Sequence, residues 1–152
     1  MLRSSAFMNT VYVFNDGGRK EAGFKGLAGD CVVRAIAIAT DTEYKEVYKD
    51  LTETSHKINE RKRKKISTSP RLGVHKEVIK EYLTSKGWVW KPLMKVGSGC
   101  KTHLRKHELP SGKIICSLSK HYVAVIDGVV HDTYDCTRGG RRCVYGYWSK
   151  NA

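Results

Sequence analysis

At 152 residues the chain is long enough for one domain with a core of its own, and 40% apolar content excludes a wholly disordered polypeptide. No run approaches the roughly twenty apolar residues that span a bilayer, since the longest, residues 32–39, is interrupted by Arg34. Lys and Arg (28) outnumber Asp and Glu (15), and the resulting net charge of +13 favours acidic partners such as nucleic acid, anionic lipid or an acidic protein.

Residues 11–14 (VYVF) read as a short strand closed by the turn-prone Asn15-Asp16-Gly17-Gly18. A glycine-punctuated loop leads to Asp30. From Cys31 to Thr40 the chain is apolar nearly all round and rich in alanine, which predicts a buried helix with Asp30 as its N-cap. A second helix follows, with Tyr44, Val47, Tyr48 and Leu51 at helical spacing. Residues 52–73 are basic and poor in core-forming side chains, and read as a loop, an arm or a helix extension projecting from the core. A third helix over about 74–86 stops at Gly87, and a strand follows at 88–93. One helical turn at 102–107 precedes strands at about 113–118, 121–126, 129–134 and 143–148. Helices first and an antiparallel meander second predict a single α+β domain over 1–152, helices packed on a C-terminal antiparallel sheet. Met8 is a second possible start, which makes residues 1–7 a dispensable extension. The N-terminus lacks a sustained apolar leader, so a cytoplasmic protein is expected.

Cys31 is the candidate nucleophile: a thiol at a helix start is favoured as thiolate by the unpaired N–H groups and the dipole. Its own N–H supplies half of an oxyanion hole, and Gly29 lets the backbone approach closely. Ninety residues later the chain reads HYVAVIDGVVHDTYD. If Asp127-Gly128 is a two-residue turn, Ile126 pairs with Val129 and Val123 with Asp132. Alternation then puts His121 and Asp132 on one face as diagonal neighbours, within side-chain reach, while His131 and Asp135 face the other way. A thiol, a base and an orienter for the base are what nucleophilic thiol catalysis requires.

GDCVVRAIAIAT followed by HYVAVIDGVVHDTYD resembles the papain-like cysteine peptidase superfamily, in particular its small bacterial and phage-associated members, and is also similar to a group of short phage and prophage proteins. The resemblance implies a papain-like fold with Cys31 as nucleophile, His121 as general base and Asp132 as its orienter, acting on a peptide or protein substrate without a cofactor, in the host cytoplasm if phage-encoded. One position departs from the pattern. Where such peptidases usually carry a Gln that polarises the substrate carbonyl, this chain has Lys25, which either serves the oxyanion by its charge or marks altered chemistry or a lost activity.

Other constellations carry less. Cys100, His103 and His107 have zinc-compatible spacing, but no second cysteine pair completes a finger, and no metal is expected. Five cysteines (Cys31, Cys100, Cys116, Cys136, Cys143) at irregular spacing predict free thiols, with Cys136 and Cys143 the pair able to bridge under oxidation. Arg61, Lys62, Arg63, Lys64 and Lys65 form an unbroken basic run that offers sequence-blind phosphate contacts or steers an acidic protein. Trp88, Trp90 and Trp148 are expected in the core or at a sheet edge. Two functions follow: a cysteine-dependent hydrolase or acyltransferase cutting a peptide, isopeptide or amide bond, or a non-catalytic basic phage accessory protein that binds nucleic acid or a host factor on the same fold.

Overall fold

The computed structural model describes residues 11–25, 29–95 and 97–150; residues 1–7, expected to be a dispensable extension, and Met8 lie outside them. The described residues form an α+β fold of three helices on one face of a six-stranded sheet. No helix among them is long and apolar enough to cross a membrane. The elements in chain order are β1 (Val11–Phe14), α1 (Cys31–Thr40), α2 (Tyr44–Lys62), α3 (Lys76–Ser85), β2 (Trp88–Pro92), β3 (Lys113–Leu118), β4 (His121–Ile126), β5 (Val129–Asp132) and β6 (Gly146–Lys150).

The sheet order is β1-β5-β4-β3-β6-β2. Every pair is antiparallel except β1 with β5, which run parallel with Val11 opposite Val129 and Phe14 opposite Asp132. The expected all-antiparallel sheet is therefore corrected to a mixed one. VYVF has no hairpin partner in sequence, and it reaches the sheet edge only because the intervening helices and strands together form the crossover that a parallel pair needs.

α1 is buried on almost every side, from Val32 through Ala39, as its alanine-rich apolar sequence requires. It ends at Asp41 in the left-handed conformation (φ 53°), with the Thr42 N–H returning to the Ala37 carbonyl. Its core lies between the helices and one sheet face, where Ile36, Leu51 and Leu83 meet Ile115, Ala124 and Trp148. A second apolar cluster on the opposite face joins Val123, Val125 and Val130 to Leu104, Ile114 and Val144. Alternation along β4 thus sends Tyr122 and Ala124 toward the helices and Val123 and Val125 away.

Of the readings for the basic stretch 52–73, the helix extension holds for its first half, to Lys62, and a loop follows. α2 continues to Lys62 because Leu51, Ser55 and Ile58 extend its buried seam at spacings of four and three. Thr52, Thr54 and Ser55 each turn their hydroxyl back to the carbonyl four residues earlier, which makes a polar sequence compatible with helix.

Candidate active site

Cys31 is the first residue of α1 and His121 the first of β4, so both functional groups stand at the ends of rigid elements packed on each other. Cys31 is half-buried, whereas the other free cysteines, Cys116 and Cys136, are buried. A cleft of about 380 Å³ opens on Cys31 and His121 and is walled by Val74, Lys76, Lys120 and Tyr145. The N–H groups of a helix's first turn have no intrahelical acceptor, and the Asp30 side chain makes no capping hydrogen bond to them. Asp30 thus holds the N-cap position as expected, without a side-chain cap.

The hairpin has the register that the Asp127-Gly128 turn dictates: Ile126 opposite Val129 and Val125 opposite Val130. Both turn residues have positive φ, 49° and 81°, the requirement of a type I′ turn. In consequence His121 Nε2 lies 2.6 Å from Asp132 Oδ2, with both side chains buried. Asp132 Oδ1 also accepts from the Thr133 N–H at 2.7 Å and from Arg34 Nη2 at 3.4 Å. Burial alone works against the imidazolium, but hydrogen bonds to Asp132, Cys136 and Cys31 outweigh it and push the His121 pKa from 6.5 up to about 11. Burial likewise works against the Asp132 carboxylate, and the contacts with His121 and Thr133 nevertheless hold its pKa below the usual 3.8.

Two residues at the site escape a reading from sequence. Arg34, seen in the sequence as an interruption of an apolar run, bridges the buried Asp30 and Asp132. Asp30 is fully buried and satisfied by Arg34, by Arg19 Nε at 3.1 Å and by the Tyr44 hydroxyl at 2.5 Å. A chain of charged contacts thus ties the start of α1 to the end of β5. The available signal was Asp30 four residues before Arg34, one helical turn apart. The other is Cys136, whose Sγ joins a ring nitrogen of His121 and a carboxylate oxygen of Asp132 in a set mutually within 4.8 Å. Its position four residues past Asp132 was the only clue. These N, O and S donors are compatible in type with a transition metal, but the His121–Asp132 pair and the Arg34 guanidinium already satisfy the carboxylate.

Lys25 is exposed, its carbonyl accepts from Arg71 Nη2 at 2.5 Å, and it does not line the cleft. The close approach that Gly29 permits is to the Arg71 carbonyl, 2.8 Å from where a Cβ would stand. In the basic run, Arg61 pairs with Glu81 at 2.7 Å, and Lys62 and Lys64 both pair with Glu77, so three of the five cations are engaged with α3. Arg63 and Lys65 are exposed. Cys100 and Cys143 form a disulfide, correcting the expectation of five free thiols and the choice of Cys136 as partner of Cys143. The bridge between His103 and Cys143 draws the 100–103 loop alongside, a contact invisible in cysteine spacing. Cys100, His103 and His107 consequently do not assemble as a ligand set: Cys100 is bonded to Cys143, and His103 Nδ1 lies 3.3 Å from Glu108. Trp88 and Trp148 are buried and Trp90 lies on edge strand β2.

Comparison of the chain with family models, with curated proteins and with solved structures finds no match.

Proposed function

We propose that the chain is a papain-like cysteine-dependent hydrolase or acyltransferase that cuts a peptide, isopeptide or amide bond through Cys31, His121 and Asp132. One observation carries the reading: the half-exposed thiol opens a helix in the same cleft as a histidine whose far nitrogen is held by a buried carboxylate at 2.6 Å. A cysteine-first helix packed on antiparallel strands, with histidine and aspartate on successive strands, agrees with the papain-like order.

With Nε2 engaged by Asp132, Nδ1 is the nitrogen that serves the thiol. The elevated His121 pKa makes imidazolium the resting form near neutrality, and the attack itself requires the sulfur as thiolate. The Cys31 sulfur attacks the carbonyl carbon and a C–S bond forms. The first-turn N–H groups of α1 receive the oxyanion. As the C–N bond breaks, His121 gives its proton to the leaving nitrogen. Water or a second amine then adds to the thioester, losing a proton to His121, and the thiolate departs. Asp132 orients the ring and balances its charge throughout; Arg34 fixes Asp132.

The test is alkylation of each cysteine by iodoacetamide between pH 4 and 9, located by peptide mass mapping. Rapid labelling of Cys31 well below pH 8, slowed by His121→Ala, supports the reading, and Cys31→Ala then abolishes turnover of any substrate found by screening. Labelling of Cys31 no faster than that of a denatured-state thiol rejects it.

A further inference from the structure

Beside the Cys31 cleft lies a second cavity of about 380 Å³ that shares Lys76, Ser117, Tyr122 and Tyr145 with it. Its origin is visible in the sheet register. Tyr122, Ser117, Gly146 and Pro92 stand opposite one another on β4, β3, β6 and β2. The next row toward the core is Ala124, Ile115, Trp148 and Trp90. The outer row is shallow in the middle because Ser117 and Gly146 are small, and the α3 side chains Lys76, Ile79 and Lys80 overhang it. Gly146 is required: a Cβ there would come within 2.5 Å of the Trp90 ring, which folds across it. Trp90 and Trp148 close the far end, ring centroids 5.5 Å apart.

From β4 to β2 is three strand spacings, about 14 Å, which an extended chain rising about 3.3 Å per residue covers in roughly four residues. The groove's length therefore matches a segment of polypeptide rather than a single small amide. Its end is aromatic-walled and apolar. Its rim is cationic: Lys76 and Lys80 are exposed one helical turn apart and make no ion pair among the described residues. The acidic side chains of α3 do not compensate, since Glu77 and Glu81 turn to Arg61 and Lys62 at the end of the neighbouring helix and to Lys64 just beyond it. Resting on the catalytic reading above, we infer that the substrate is an extended peptide segment that packs a bulky aromatic side chain against the touching rings of Trp90 and Trp148, with an acidic residue beside it facing Lys76 and Lys80.

The experiment uses N-acetyl tetrapeptide vinyl sulfones in which one Phe moves through four positions of a glycine chain, with Glu or Gln beside it. The second-order rate of adduct formation at Cys31 is read by mass spectrometry. The same peptides, fluorescein-labelled and lacking the electrophile, are titrated into Cys31→Ala by anisotropy. The best-placed Phe is expected to react about tenfold or more faster than the all-glycine probe, and Glu several-fold faster than Gln. Trp90→Ala removes the Phe preference, and Lys76→Gln/Lys80→Gln removes the preference for Glu. No advantage for Phe at any position in either assay overturns the inference. If iodoacetamide labels Cys31 rapidly while the peptides show no order, the groove assignment fails and the catalytic reading stands. If Cys31 is inert yet Cys31→Ala binds the peptides in the predicted order, the catalytic reading fails and the groove assignment stands.

Discussion

Asp132→Asn removes one charge from the His121 pair while keeping the side chain's shape. In the wild type the His121 pKa rises from 6.5 to about 11 although burial opposes it. A rise of that size corresponds to about 6 kcal/mol between the two protonation states. Burial of His121 is already counted in that rise, and breaking a buried pair by deleting one partner costs about 3–5 kcal/mol. That is the expected loss of stability. Its pH dependence has a definite sign. A histidine whose folded pKa lies above its unfolded value contributes fully below pH 6.5 and progressively less as pH rises toward 11. Asp132, with its folded pKa lowered, contributes above about pH 3.8 and loses that contribution as pH falls. The difference in unfolding free energy between wild type and Asp132→Asn, from urea titrations at pH 5, 7.5 and 10, is therefore expected to be largest at pH 5 and smallest at pH 10. The Cε1–H resonance of His121 in 13C-labelled protein, identified by its loss in His121→Gln, should titrate several units lower in the variant. A midpoint in Asp132→Asn within one unit of the wild type, or a wild-type midpoint near 6.5, would refute the argument.

Arg34→Met leaves the buried Asp30 and Asp132 without a shared cation; about 3–5 kcal/mol of stability should be lost, a fall in Tm on the order of 10 °C by calorimetry, and a change under 2 °C would show the bridge to be unimportant. The disulfide closes a sequence separation of 43 residues, so Cys100→Ser should cost about 4 kcal/mol on the loop-entropy estimate; thiol titration of the denatured, unreduced wild type should count three cysteines, and a count of five would remove the bridge. For non-specific DNA, neutralising residues 61–65 should change the slope of log affinity against log salt by about 2, since Arg61, Lys62 and Lys64 are already paired; all five acting on phosphates would change it by about 4.5, and that larger value, read by anisotropy, would show that the pairs open on binding.

What could be read ahead of the structure was whatever a local rule fixes. Asp127-Gly128 allows one turn type, the turn allows one register, and the register brings His121 to Asp132. α1 was equally legible, because an alanine-rich stretch that is apolar all round has few alternatives to a buried helix. What could not be read depends on partners remote in sequence. VYVF has no local signal for the parallel seat beside β5. The second half of α2 hides its seam, Leu51, Ser55 and Ile58, among charged and hydroxyl residues whose composition favours a loop. Arg34 finds Asp132 98 residues away, and Cys100 finds Cys143 through a bridge that only the folded 100–103 loop creates.

Two thiols bear on one histidine, and they differ in solvent access. His121 counts both Cys31 and Cys136 among the hydrogen-bond partners that favour its charged form. Cys136 is buried, burial pushes its pKa up, and the adjacent Asp132 carboxylate pushes in the same direction against the opposing pull of His121. A thiol in that setting stays protonated and serves as a donor inside the cluster. Cys31 sits at the helix start, half-buried, and lines the cleft. The rigid Asp30–Arg34–Asp132 link gives this division its geometric basis. It fixes the first turn of α1 against the end of β5, beside the cluster of His121, Asp132 and Cys136. Loosening that link should therefore alter the reactivity of Cys31 before it alters that of Cys136.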